Sequence, residues 1–269
     1  DFMNIGKKLI PFYIAALVIG IINRFLLLTT DISRMERENN FLAMFGSPLL
    51  YFAYFVVVFG IFCMTVFVII TRYSSSIYGN EGYLTNTLPL KPSQIIWAKL
   101  INFLIWIFIS YFVIFVSMFI LFPFEFFIRN IIRDSEFYQD LNTMVKEFFS
   151  SKYIFMSILQ LIYNLLAHVQ SILIIFLSIA IANLFKSYKV VVGVIAFFII
   201  SIIFSFIGAS VTYSTISNLD VPVIYGDTDP TIFLSLRNGT ITSILYSLIS
   251  SVLLFFGVHY LHTHNLNLE

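Results

Sequence analysis

The chain has 269 residues, of which 59% are hydrophobic and only 11% charged, with a net charge of +1 at pH 7. A water-facing domain carries roughly a quarter of its residues charged, so a soluble globular fold is excluded; no basic run offers a footprint for nucleic acid. A mean hydropathy of +0.95 and 32 phenylalanines describe a chain whose outer solvent is lipid.

A bilayer core about 30 Å thick requires about 20 apolar residues of helix. The first such run covers about 10–29, with Lys7 and Lys8 before it. It is too long for a signal-peptide core of about 7–15 residues and lacks a small-residue cleavage site, so it reads as a retained span. The chain starts at Asp1 without an initiator Met, and an upstream segment is expected. A polar stretch over 31–40 leads to a second run, 48–70, which holds Cys63, the one cysteine of the chain. A lone Cys in an apolar run reads as a small buried side chain. It supports neither a disulfide framework nor a thiolate metal site.

The polar segment 73–94 separates the second run from a third at 95–121. Its glycines, Gly79 and Gly82, and prolines, Pro89 and Pro92, bracket a short, partly apolar helix. Ser93 is placed to cap the third span. Beyond that span, Phe127, Ile131, Tyr138, Leu141, Val145 and Phe148 recur near helical spacing, with charges between them. That pattern predicts an amphipathic helix lying on the outer membrane surface or capping the bundle.

The fourth run, 153–182, carries Gln160, Asn164 and His168 along one side. Polar groups at membrane depth are costly unless paired, so this face is expected to meet the bundle or a dimer interface, or to line a translocation path. A basic break at 183–189 leads to the fifth run, 190–211, and the sixth covers 240–261. The runs are apolar all round and show no strand-like alternation, which predicts an all-α membrane protein of six transmembrane helices forming one domain over 1–269. With both termini in the cytoplasm, Lys and Arg divide seven to eight between the two sides, but eleven of fourteen acids fall outside. By raw count of cations the positive-inside rule is nearly tied; the shorter breaks on the inner side favour this orientation.

Catalytic motifs are missing from the sequence: GxxxxGK[ST], HExxH and GxSxG do not occur. His259, His262 and His264 cluster near the C-terminus without carboxylates other than Glu269, and they read as a solvated tail rather than a metal site. Neither a cofactor nor a metal is expected on this chain. No span interior holds a carboxylate of the kind proton or sodium coupling needs.

The string Glu81-Gly-Tyr-Leu-Thr-Asn-Thr-Leu-Pro89, followed by Lys99 at the start of a span, resembles the cytoplasmic loop of permease subunits of type-2 ABC exporters from low-GC Gram-positive bacteria. Glu81, Gly82, Tyr83, Leu84, Thr87, Leu88, Pro89 and Lys99 carry the likeness position by position. The long charged segment after the third span departs from the pattern. The resemblance implies that this loop is a coupling helix for a separate ATPase subunit. The break holding Lys186 and Tyr188 would then be a second, shorter coupling contact. It further implies two copies of the ATPase, which holds ATP and Mg, a second permease subunit, identical or homologous, and a place in the bacterial cell membrane. The cargo suited to such apolar spans is a peptide, lipid or drug. Alternative readings are a membrane-embedded enzyme acting on lipid or peptide, a non-ABC transporter or channel, and an immunity or scaffold protein.

Overall fold

The computed structural model describes residues 2–29, 41–79, 81–82, 90–121, 135–217 and 230–264. Among the described residues these helices follow one another: α1 (Phe2–Thr29), α2 (Phe41–Ile77), α3 (Pro92–Leu121), α4 (Ser135–Phe148), α5 (Ser151–Ala182), α6 (Lys189–Ser217) and α7 (Pro230–His264). All but α4 are long and apolar enough to cross a membrane, which gives six spans. No strand occurs among the described residues. The chain is an all-α, multi-pass membrane protein, as its composition requires.

Several helices outrun the apolar runs that signal them. α1 begins at Phe2 and takes in Lys7 and Lys8, and α7 begins at Pro230 and continues through His264. Hydropathy marks what lipid demands, whereas a helix continues until its backbone is capped or broken. At α3 the capping differs from the expected Ser93. Pro92 is the first helical residue, where its missing N–H costs nothing. The Lys91 carbonyl accepts from the Gln94 N–H at 2.9 Å, and the Lys91 N–H donates to the Gln94 side-chain oxygen at 3.1 Å. Gln94 thus supplies the reciprocal half of a capping box.

α4 realises the amphipathic pattern from Ser135 onward, with Tyr138, Val145 and Phe148 exposed; Phe127 and Ile131 lie outside the described residues. Cys63, expected to be buried, is exposed on α2. In a lipid-facing chain an apolar run has no single buried stripe, so its composition could not say which side faces in.

Two compact units divide the chain. The first comprises 1–72 and 102–141, the second 73–101 and 142–269. In the first, α1 meets the C-terminal part of α3 through small residues and hydroxyls, as helices in lipid must, since apolar contact with lipid competes with apolar contact between helices. Gly6 lies under the Trp106 ring, and Gly20 faces the Ser117 carbonyl. Tyr13 and Ser110 share a 2.7 Å hydrogen bond, and Thr65 of α2 reaches the same Ser110 hydroxyl at 3.2 Å. Tyr54 of α2 bonds Ser117 at 2.7 Å.

In the second unit, α5, α6 and α7 pack on one another. α7 offers a row of small buried residues, Gly239, Ser247, Ser250 and Ser251, spaced like the small-xxx-small seams of membrane helices. Gly208 of α6 lets the Tyr246 ring approach, and the Tyr246 hydroxyl donates to the Phe204 carbonyl. Gly193 of α6 lies against Ala182 of α5, and Gly257 of α7 against Leu177 of α5. Near the start of α5, the Lys152 ammonium sits 4.2 Å from the centroid of the Phe233 ring of α7.

Candidate functional site

The last turn of α2, the turn after it and the first turns of α3 all belong to the second unit; together they make an elbow. Tyr73 anchors it. The side chain is fully buried and its ring stacks on Phe176 of α5, with centroids 3.7 Å apart and planes 7° from parallel. Tyr78 meets Tyr73 edge-on at 6.5 Å. On the α3 side, Trp97 lies 5.3 Å from Phe255 of α7.

These contacts fix where the elbow sits. Phe176 precedes the end of α5 at Ala182 by six residues, which is about 9 Å of helix. The elbow and the α5–α6 break therefore lie at the same end of the second unit. Sequence alone joins these two segments only through the resemblance; the aromatic pairs join them physically.

The turn is built on close backbone approach. Both the Tyr78 and the Gly79 N–H donate to the Ser74 carbonyl, at 2.9 and 3.0 Å, and the Gly82 N–H donates to the Gly79 carbonyl at 2.8 Å. A Cβ on Gly82 would collide with the Ile77 carbonyl, so only glycine fits there. Gly82 is buried, and its neighbour Glu81 is exposed. Tyr83, Leu84, Thr87, Leu88 and Pro89 lie outside the described residues.

The second break is described throughout. α5 ends at Asn183, whose backbone N–H and side-chain amide both donate to the Ile179 carbonyl, at 3.2 and 2.8 Å. Tyr188 then takes a left-handed conformation, φ 60°, and its carbonyl accepts the Val192 N–H at 3.0 Å to open α6. A bulky residue held in that region is strained and persists only where its surroundings fix it. Leu184, Phe185 and Tyr188 are exposed between two spans, Tyr188 by 80%. Lys186 stands among them and Lys189 follows. An apolar cluster outside the spans marks a docking surface better than any single exposed Leu does.

The second unit holds buried polar atoms that find no partner among the described residues. The hydroxyls of Tyr73 and Tyr78 and the Nδ1 atoms of His259 and His262 are buried without a hydrogen-bond partner among the described residues. His259 stacks on Phe255, the ring that also faces Trp97. Burial pushes the Tyr78 hydroxyl up to about 12, so it stays neutral at physiological pH. The C-terminal histidines are not a solvated tail, because α7 carries them and His262 is 1% exposed. Among the described residues no group of three His, Cys, Asp or Glu could hold a metal.

Gln160, Asn164 and His168 do share one side of α5. The Gln160 amide N–H donates to the Asn164 side-chain oxygen at 3.3 Å, and His168 Nδ1 lies 2.5 Å from the Asn164 carbonyl oxygen. Gln160 and Asn164 are exposed, away from the part of α5 that is packed.

Sequence reasoning missed Tyr73, Phe176, Trp97 and Phe255, which look like any other aromatics in an apolar run. It also missed the Tyr13–Ser110–Thr65 hydrogen bonds, whose members are far apart in the chain. Compared with known proteins, the chain matches no family model, no curated protein and no solved structure.

Proposed function

We propose that this chain is the permease subunit of an ATP-driven exporter of the type-2 ABC class, docked through the elbow and the α5–α6 break onto a separate cytoplasmic ATPase. The observation that supports this reading is the common location of the two breaks. The described residues on either side of the segment that the resemblance assigns to ATPase contact lie at the same end of the second unit as the α5–α6 break, tied there by Tyr73 on Phe176 and Trp97 on Phe255. Exposed Leu184, Phe185 and Tyr188 give the second break an apolar face for a protein partner.

In this reading the chain does no chemistry of its own. ATP and Mg bind the partner, and closure of two ATPase copies on each other pushes the coupling segments of two permeases. The work done on the permease is a shift between an inward-open and an outward-open population, set by the differential affinity of the ATPase for the two. Both termini would lie in the cytoplasm, the membrane would be the bacterial cell membrane, and the cargo an apolar or amphipathic peptide, lipid or drug.

Co-expression of the chain with the P-loop ATPase of an adjacent reading frame tests the assignment. Tyr83→Asp, Leu84→Asp and Phe185→Asp should each abolish co-purification while leaving membrane insertion intact. Recovery of all three variants with the ATPase at wild-type yield would overturn it.

A further inference from the structure

We infer that α5 meets the α5 of a second copy of this chain along a polar seam formed by Ser157, Gln160, Asn164, His168 and Ser171. Intervals of three, four, four and three residues separate these positions. Their mean is 3.5, the spacing at which a helix keeps one line of side chains turned toward a partner helix. An isolated helix facing only lipid has no use for such a register.

The first half of α5 has three distinct sides. Met156, Leu159, Tyr163, Leu166 and Gln170 are half-buried and form the packed side. Ile158, Leu161, Ile162 and Leu165 are exposed and wholly apolar, a surface suited to lipid. Between them runs the seam, where Ser157, Gln160, Asn164 and Ser171 are exposed and His168 is half-buried.

Depth makes the seam's exposure consequential. The 32 residues of α5 extend about 48 Å at 1.5 Å per residue, more than a core of about 30 Å. The middle of the helix, about residues 157–176, fills that core, and the seam lies within it. Two primary amides facing hydrocarbon at this depth need partners that lipid tails cannot supply. Gln160 and Asn164 bond each other only once, through Nε2 and Oδ1. The Gln160 carbonyl oxygen and the Asn164 amide N–H groups make no further hydrogen bond among the described residues. An amide carries donor and acceptor together, so an identical seam brought up by a two-fold axis along the membrane normal is self-complementary. Residues of equal depth then face each other, Gln160 toward Gln160 and Asn164 toward Asn164 of the other copy. Serines at both ends allow the backbones to approach closely.

This deepens the proposed function by naming the helix through which two permease copies meet, and for that setting it rests on that reading; the seam itself is argued from α5 alone. The test is cysteine scanning in a Cys63→Ser background, with the chain expressed in membranes without any ATPase and oxidised by copper phenanthroline. All substituted positions are exposed, so folding is not at stake. Gln160→Cys and Asn164→Cys should shift the chain from monomer to disulfide-linked dimer, and Leu165→Cys on the apolar side should leave it monomeric. Dimers at all three positions would mean random collision and would overturn the seam. So would free reaction of Asn164→Cys with a charged, membrane-impermeant thiol reagent, which would make the stripe the wall of an aqueous path. Absence of both dimer and labelling would place the stripe against lipid or another part of the same chain, and would overturn it too. Loss of crosslinking leaves ATPase co-purification unaffected, and failure of co-purification leaves the crosslink standing, so the two readings fail separately.

Discussion

Tyr73 is the residue whose substitution should do most to the elbow. In a water-soluble core, truncating a buried aromatic to alanine costs about 3–5 kcal/mol. Part of that figure is transfer from water, which is absent where lipid is as apolar as the protein interior. What remains at Tyr73→Ala is the cavity beside Phe176 and the lost stacking, the latter about 0.5–1.5 kcal/mol alone, for a total of about 2–3 kcal/mol. At about 2–4 °C per kcal/mol for a chain of this size, Tyr73→Ala should lower the melting temperature in detergent by roughly 4–12 °C. Tyr73→Phe should move it the other way. The Tyr73 hydroxyl is buried with no partner among the described residues, and an unsatisfied buried hydroxyl costs about 1–3 kcal/mol. Its removal, with the Phe176 stack kept, should raise the melting temperature by about 2–12 °C. Thermal denaturation followed by size-exclusion fluorescence reads both variants. A drop for Tyr73→Phe comparable to that for Tyr73→Ala would refute the reasoning, because it would mean that the hydroxyl, and not the ring on Phe176, holds the elbow.

Three further predictions bear on the two breaks. Tyr78 has its hydroxyl raised by burial to about 12 against about 10 in the unfolded chain. Between pH 10 and 12 the unfolded chain therefore releases a proton that the folded chain keeps, and stability present below pH 10 is lost as pH rises, by up to about 1.4 kcal/mol per pH unit. Melting curves of Tyr78→Phe and the native chain should run in parallel below pH 10 and diverge above it, with Tyr78→Phe the more stable; parallel curves up to pH 11.5 would remove the basis for this. Gly82→Ala puts a Cβ onto the Ile77 carbonyl and should cost about 1–3 kcal/mol in backbone strain, read as a lower melting temperature and faster proteolysis between α2 and α3. Tyr188→Gly releases a left-handed strain of about 1–2 kcal/mol, partly offset by the greater freedom of glycine in the unfolded chain. It should melt at or slightly above the native temperature yet retain less ATPase on co-purification, separating the stability of the break from its docking role.

The spans were legible in the sequence because lipid imposes a length and an apolarity that no soluble helix needs together. Their ends were less so. Gln94, not Ser93, completes the cap of α3, and the C-terminal histidines ride on α7 rather than trailing from it. Each such end is decided by one or two hydrogen bonds, to which a hydropathy window is blind. The stripe on α5 could be read at Gln160, Asn164 and His168 because polar side chains stand out in an apolar run. Ser157 and Ser171 do not stand out, and their membership follows only from register and exposure. Tyr73 and Phe176 were illegible for the opposite reason. In a chain with 32 phenylalanines and 15 tyrosines, nothing local distinguishes the aromatic that locks two segments from those that face lipid.

The division of α2 and α3 gives the elbow its mechanical character. Each helix is continuous, yet α2 contributes up to Arg72 to the first unit and Tyr73–Ile77 to the second, and α3 contributes up to Ile101 to the second and the remainder to the first. Within the second unit the Tyr73 ring lies on Phe176 of α5 and Trp97 lies near Phe255 of α7. If a partner presses on the elbow, as the proposed function has it, the load reaches α5 through the buried Tyr73–Phe176 stack and α7 through the exposed Trp97 ring on Phe255. Small side-chain shifts in a packed core are resisted until it jumps to another packing, so a load applied there is passed on instead of absorbed. Under the exporter reading, the tightness of Gly82 against the Ile77 carbonyl has a purpose beyond ending a helix. It keeps the turn close to the stacked ring that carries the load. A slack turn, as in an insertion of two glycines after Gly79, should preserve ATPase docking and melting temperature while uncoupling ATP hydrolysis from transport; tight coupling in that variant would mean the load enters the bundle through the α5–α6 break instead.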